Sequence, residues 1–254
     1  MKKFVLKQHQ GVVALLSFIA VLVIWEALVN LLKVRPIMLP PPSAIFKELM
    51  SEPMWYLGHT WYTFLTTMAG FLLSVVIGVV IAMLLVGSRF FESAVYPLII
   101  AMNSVPKVAI APLFVIWLGT GAEPKIAIAF LIAVFAIIVD TVHGLRSVPN
   151  DILDMGRVLK GSTLDFFFKV RLPCALPSIL TGMKVAISLA LVGAIVGEFV
   201  SSQQGLGYVI MSAQGTFDTA RVFAAMFLLS IMGIVLFGAL AWLEKHATPW
   251  RRHD

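Results

Sequence analysis

The chain has 254 residues, 60% of them hydrophobic and only 13% charged, and a mean hydropathy of +0.97, where soluble domains carry roughly 25% charged residues. That balance excludes a soluble globular protein and describes a polytopic membrane protein, so the net charge of +6 and pI of 9.6 point to cations at span ends and to anionic lipid rather than to nucleic acid. A single cysteine, Cys174, excludes an intrachain disulfide and a cysteine-based metal cluster.

Crossing the hydrocarbon core takes about 20 residues at 1.5 Å rise. Six apolar runs meet that length: Gly11 to Leu32, Tyr62 to Val86, Val95 to Leu118, Ile126 to Leu145, Ala175 to Val200 and Val222 to Leu243. Lys2 and Lys3 ahead of the first run resemble a secretory leader, but the run exceeds a signal core of about 7–15 residues and no small-residue cleavage site follows. It is read as a retained first span. The loop that follows contains LPPPSAIFKEL; three prolines favour an extended segment, after which Ser43 is expected to cap a short amphipathic helix through Leu49.

Charges inside the spans are costly and therefore functional suspects. Lys107 lies near the middle of the third run between Pro106 and Pro112, and is read as lining a pathway. Asp140 and Lys184, in the fourth and fifth runs, are read as a structural pair. Glu198 at the outer end of the fifth run, just before Ser201-Ser-Gln-Gln-Gly-Leu-Gly-Tyr208, is read as part of an outer gate. Gly193 and Gly197 in the same run form a small-xxx-small face that permits close helix packing.

Between the fourth and fifth runs lies a polar segment, LRSVPNDILDMGRVLKGSTLDFFFKVRLPC, from Leu145 to Cys174. It reads as two short amphipathic helices on a membrane surface: Asn150 caps the first, Gly161 stops it, and Ser162 with Asp165 three residues on opens the second as a capping box. Pro173 and Pro177 mark the start of the fifth span, where a missing N–H is harmless. With the amino terminus inside, Lys2, Lys3, Lys7, Arg89, Arg146, Arg157, Lys160, Lys169, Arg171, Lys245, Arg251 and Arg252 fall on the cytoplasmic side. Only Lys33, Arg35, Lys47, Lys125 and Arg221 fall outside. That asymmetry puts both termini and the polar segment in the cytoplasm.

Enzyme signatures are missing. Gly156-RVLK-Gly161-Ser162 has two glycines but no Lys after the second and no preceding strand, so it is not a phosphate loop, and neither HExxH nor GxSxG occurs.

The polar segment resembles the cytoplasmic EAA loop of permease subunits in binding-protein-dependent ABC importers. With Val170-x-Leu172-Pro173 aligned to the family's I-x-L-P, Asp154-Met155-Gly156 fall under E-A-A, Lys160 under the family glycine, and Gly161 one place later. Asn103-Ser-Val-Pro-Lys-Val-Ala-Ile-Ala-Pro, Gly197-Glu-Phe-Val, Gly205-Leu-Gly-Tyr208 and Thr216-Phe-Asp-Thr-Ala220 are similar to segments of the nitrate/sulfonate/taurine class. The resemblance implies an all-α integral membrane fold of about six transmembrane helices, one permease domain over residues 1–254, with a coupling loop at 146–172. It implies ATPase coupling through Asp154, Met155, Gly156, Lys160, Gly161, Ser162, Asp165, Leu172 and Pro173. The implied partners are two cytoplasmic ABC ATPase subunits that bind the ATP and Mg, a second permease copy, an extracytoplasmic substrate-binding protein and the bilayer of a bacterial inner membrane. The chain itself is expected to hold no cofactor and to act as a transport subunit rather than an enzyme. A stand-alone secondary transporter or channel is the alternative, but it shows no inverted repeat of interrupted helices and gives no reason for capped helices in a cytoplasmic loop.

Overall fold

A computed structural model describes residues 2–149, 151–152, 154 and 163–249. Among them every regular element is helical: α1 (Lys2–Leu31), α2 (Pro42–Ser51), α3 (Pro53–Gly87), α4 (Arg89–Asn103), a 3-10 turn (Lys107–Ile110), α5 (Ala111–Leu118), α6 (Glu123–Arg146), α7 (Leu172–Val200), α8 (Leu206–Gly215) and α9 (Thr219–Ala247). Proline occupies the first turn of α2, α3, α5, α6 and α7, where its fixed φ favours the helix and its missing N–H would have had no partner anyway.

Among the described residues four helices are long and apolar enough to cross a membrane, Pro53–Gly87, Glu123–Arg146, Phe167–Val200 and Thr219–Ala247, and a bent pair of helices makes a fifth if it counts as one span. The expected first span falls within α1, whose apolar part, Leu16–Leu31, is shorter. The expected second span is longer than its apolar run. α3 begins at Pro53, and its 35 residues extend about 52 Å, well beyond the roughly 30 Å hydrocarbon core.

The third expected span is not one rod. α4 and the segment Lys107–Leu118 meet at 86°, with the break at Ser104, Val105 and Pro106. Pro106 lacks a donor and steers the residue before it away from helical geometry, so the chain turns there and restarts with the 3-10 turn. The second helix of the polar segment is also not a separate unit. From Thr163 the helix runs through a π-type turn, Phe167–Arg171, directly into α7. Pro173 cannot donate to a carbonyl one turn back, and the wider turn, closed by Leu172 N–H to the Phe167 carbonyl, lets the helix pass it without a break.

α6 is the hub. It packs parallel to α3 through Gly78, where a Cβ would lie 2.7 Å from Ile137 Cγ2, and antiparallel to α7 through Gly193, where a Cβ would lie 2.6 Å from the Ala129 Cα. Ala129, Ala133, Ala186, Ala190 and Ala194 are wholly buried at the same seam. Backbones this close gain dispersion contacts that lipid tails cannot match, which is how helices associate where there is no hydrophobic drive between them. α9 covers the other side of α7, held by Lys184 Nζ to Glu244 Oε2 at 2.5 Å. The pair expected between Lys184 and Asp140 does not form. Glu244 lies on the facing helix α9, while Asp140 meets α7 at Gly182.

At the opposite end of α9, α2 is strapped across the bundle. Arg221 binds Glu48 at 2.9 Å, and Glu48 accepts from the Tyr56 hydroxyl at 3.0 Å. Ser43 does not cap α2. It lies inside the first turn and donates its backbone N–H and hydroxyl to Glu26 at 3.0 and 2.8 Å, so a carboxylate from α1 caps the helix in its place.

The seam predicts an asymmetric response to glycine replacement. Gly193→Val forces α6 and α7 apart and should destabilise the purified protein by about 1–3 kcal/mol. Gly238→Ala, with nothing within 4 Å of the added carbon, should leave it unchanged or slightly more stable. Thermal unfolding in detergent checks both.

Candidate functional site

Three polar assemblies sit on this frame. The first closes the end of the bundle where α6 starts and α7 stops. Glu198, in the last turn of α7, is 1% exposed. Its carboxylate accepts from the Thr63 hydroxyl at 2.8 Å and from the Gly207 N–H at 2.7 Å. The Thr63 oxygen in turn accepts from Leu206 N–H at 2.8 Å, and His59 Nδ1 accepts from Gly205 N–H at 3.0 Å. The first N–H groups of a helix have no partner within it. Here three consecutive ones at the start of α8 are satisfied by side chains of α3 and α7, which anchors the turn from Ser201 to Gly205. The Gly205-Leu-Gly207 pattern follows. Gly205 has φ +101°, and a Cβ on Gly207 would lie 2.8 Å from that of Glu198.

Lys125, in the first turn of α6, is wholly buried. Its ammonium donates to the carbonyls of Thr120 and Gly121 at 2.7 and 2.6 Å, closing the turn between α5 and α6. Gly197 makes room for it, since a Cβ there would lie 2.9 Å from the Lys125 Cα. A polar cavity of about 490 Å3 opens above this node, lined by Tyr62, Thr120, Glu198, Ser201, Gln204 and Tyr208 among others.

The second assembly lies halfway along α6. At the elbow after α4, Lys107 Nζ donates to Asn103 Oδ1 at 2.8 Å and sits 4.6 Å from the centroid of the Phe135 ring, a cation–π distance. Phe135 is at the midpoint of α6, so the ammonium is at mid-span depth. Lys107 and Asn103 line an open cleft of about 380 Å3 with Phe135, Val139 and Asp140 of α6 and Val185 of α7. Asp140 accepts no hydrogen bond and joins no ion pair among the described residues, so two opposite charges share the cleft without pairing.

The third assembly is the polar segment. Asp154 is helical and exposed. Asp165 pairs with Lys169 at 3.1 Å, both well exposed, a contact worth only about 0.3–0.5 kcal/mol. Leu172 and Pro173 open α7. Met155, Gly156, Lys160, Gly161 and Ser162, and the cap expected from Asn150, lie outside the described residues. Arg146, just before the segment, donates to Glu92 of α4 at 2.6 Å, fixing the start of α4 against the end of α6.

Of the residues singled out from sequence, Lys107 and Asp140 come together in the cleft and Glu198 stands apart, enclosed beneath the polar cavity. Thr63, His59 and Lys125 carry the Glu198 node but have no signature of their own. Lys125 reads as one more loop cation, and only the adjacency of Gly197 to Glu198 hints at something buried there.

Residues 74–249 match the family described as binding-protein-dependent transport system inner membrane component. The chain is 34% identical to the formylaminopyrimidine transport permease protein ThiX of Halalkalibacterium halodurans, over 97% of this chain and 98% of that one. It is 31% identical to the putative aliphatic sulfonates transport permease protein SsuC of Bacillus subtilis, over 96% and 90%. The fold is similar to a chain of the inward-facing methionine ABC transporter MetNI, with a TM-score of 0.68 at 19% identity, covering 78% of this chain and 99% of that one.

The Glu198 node makes its own prediction. Thr63→Val removes the donor to Glu198 and the acceptor for Leu206 together, leaving buried groups unsatisfied at about 1–3 kcal/mol. Thr60→Val removes only a contact to the carbonyl of Tyr56. Thermal unfolding should separate the two variants, and a cysteine at Ser202 should label faster only in Thr63→Val.

Proposed function

Because this chain belongs to the family of binding-protein-dependent transport system inner membrane components, we propose that two identical copies of it enclose a translocation path between the faces that carry the elbow, α6 and α7. It is the permease subunit of an ABC importer for a small solute. The two cytoplasmic ATPase subunits receive the segment at 146–172 and bind the ATP and Mg, while an extracytoplasmic binding protein delivers solute at the end closed by the Ser201–Gly205 turn. Both termini lie in the cytoplasm of a bacterial cell, as the distribution of Lys and Arg favours.

The observation that carries this reading is the open cleft at mid-span. A charge facing lipid at that depth costs roughly 2.5–3.5 kcal/mol on insertion scales, and the cleft holds two, unpaired with each other. The lipid-type faces elsewhere are apolar: Ile234 and Val235 of α9 are 72% and 61% exposed. A wet path shared with a second copy would solvate both Lys107 and Asp140.

Coupling follows from continuity. The helix that begins at Thr163 beside Asp165 is the one that ends at Val200 beyond Glu198, about 55 Å away. An ATPase that grips Asp154 and Asp165 therefore holds one end of a lever whose other end carries Glu198 and, through Gly207, the outer turn. Closure of the ATPase dimer would move that turn and open the path outward. Substrate belongs to the range named for the relatives, from a formylaminopyrimidine to aliphatic sulfonates.

Two variants test the assignment from opposite ends. Asp154→Lys should reach the membrane normally yet co-purify with less ATPase and lose uptake. Lys107→Met should keep expression and ATPase assembly while uptake falls on the order of tenfold, equivalent to about 1.4 kcal/mol of barrier. Normal uptake in both would overturn the reading.

A further inference from the structure

Resting on that pathway reading, we propose that the cleft beside the elbow is a solute subsite built for a flat, net-neutral, hydrogen-bonding heterocycle of the aminopyrimidine type, and built against oxyanions. Its polar groups are one ammonium, one carboxamide and one carboxylate: Lys107, Asn103 and Asp140. An ammonium has three donors and no acceptor, and an ionised carboxylate accepts only. Lys107 uses one donor on Asn103, and Asp140 accepts nothing among the described residues. The cleft therefore offers unused donors on one side and unused acceptor sites on the other.

Such a pair sorts solutes by charge. An oxyanion gains from Lys107 and loses to Asp140, and an organic cation does the reverse, because two unit charges at similar distances act with similar strength and opposite sign. A neutral ring with a ring nitrogen at one edge and an exocyclic amine at another satisfies both. Its amine donates to Asp140 and its ring nitrogen accepts from Lys107, while the apolar walls, Phe135, Ile132 and Leu189 among them, cover its faces. At about 380 Å3 the cleft falls within the usual range of small-molecule sites, roughly 300–1,000 Å3.

The outer cavity filters in the same sense. Its one charged lining residue is Glu198, and none is basic. The lining is otherwise dominated by hydroxyls and carboxamides such as Tyr62, Ser201, Gln204 and Tyr208. The nearby Lys125 ammonium is already held by the carbonyls of Thr120 and Gly121. A sulfonate entering there meets hydroxyls and carboxamides but no available cation among the described residues. A neutral heterocycle meets partners for each polar edge.

Ligand protection tests this in the permease co-purified with its ATPase and without binding protein. On a Cys174→Ser background, Val139→Cys places a thiol on the cleft wall, where Val139 is 51% exposed, and its rate of labelling by a charged methanethiosulfonate is measured. Millimolar 4-amino-5-hydroxymethyl-2-methylpyrimidine should slow labelling at least about fivefold, and ethanesulfonate should not. Lys107→Met should abolish the aminopyrimidine protection, and Asp140→Asn should let ethanesulfonate protect. Equal protection by both probes, or labelling that neither slows, overturns the inference while leaving a wet pathway in place. A thiol that does not label in any condition, with the same result for Val185→Cys, overturns the pathway reading itself.

Discussion

Hydrocarbon does not solvate charge, and most of this structure can be read as the consequence. Each ionic group in the bundle must be enclosed with partners or wetted by a path. Lys125 is enclosed by two carbonyls and Glu198 by a hydroxyl and an N–H. Lys184 is paired with Glu244 and Arg221 with Glu48, and these contacts join α7 to α9 and α9 to α2. Once those groups are accounted for, Lys107 and Asp140 stand out as charges on an open face at the depth of the core. The enclosed charges hold the helices in place, and the unenclosed ones mark where we propose that water and solute pass.

Small residues make that sorting possible. The buried ends of α6 and α7, which carry Lys125 and Glu198, lie side by side because Gly193 and Gly197 bring the two backbones close. The same closeness leaves no room for a path inside the α3–α6–α7 core, which is why the proposed path runs on its outer face, against another copy. The bend at Ser104–Pro106 supplies what a straight third span could not, an ammonium delivered sideways to the middle of α6. The unbroken helix from Thr163 to Val200 then links that core to the segment available to an ATPase.

What the amino-acid sequence reveals depends on whether the signal is local. The long spans are legible because hydropathy needs no partner. The proline-led helix starts and the polar segment's similarity to an EAA loop are local too. Partner choice is not. Lys184 finds Glu244, which lies one residue beyond the last apolar run and looks like a solvated end, rather than Asp140, whose depth matched better. Ser43 has the composition of a cap, yet Pro42 starts the helix one residue earlier and Glu26, distant in sequence, takes the capping role. Pro106 announces an interruption, but its angle of 86° is set by how the chain after the bend packs on α6. Thr63 and His59 carry the Glu198 node without any pattern, because their partners lie well over a hundred residues away, Gly205 N–H for His59 and both Leu206 N–H and the Glu198 carboxylate for Thr63.

On the proposed reading the face bearing Lys107, Asp140 and Val185 is wet, while the face bearing Ile234 lies in lipid. Power-saturation EPR on spin labels at Val185→Cys and Ile234→Cys, in the ATPase-bound permease reconstituted in a bilayer on a Cys174→Ser background, measures this directly. The account predicts that Val185 is relaxed by a water-soluble nickel chelate and Ile234 by dissolved oxygen. Oxygen-dominated relaxation at both positions would place Lys107 and Asp140 against lipid and contradict it.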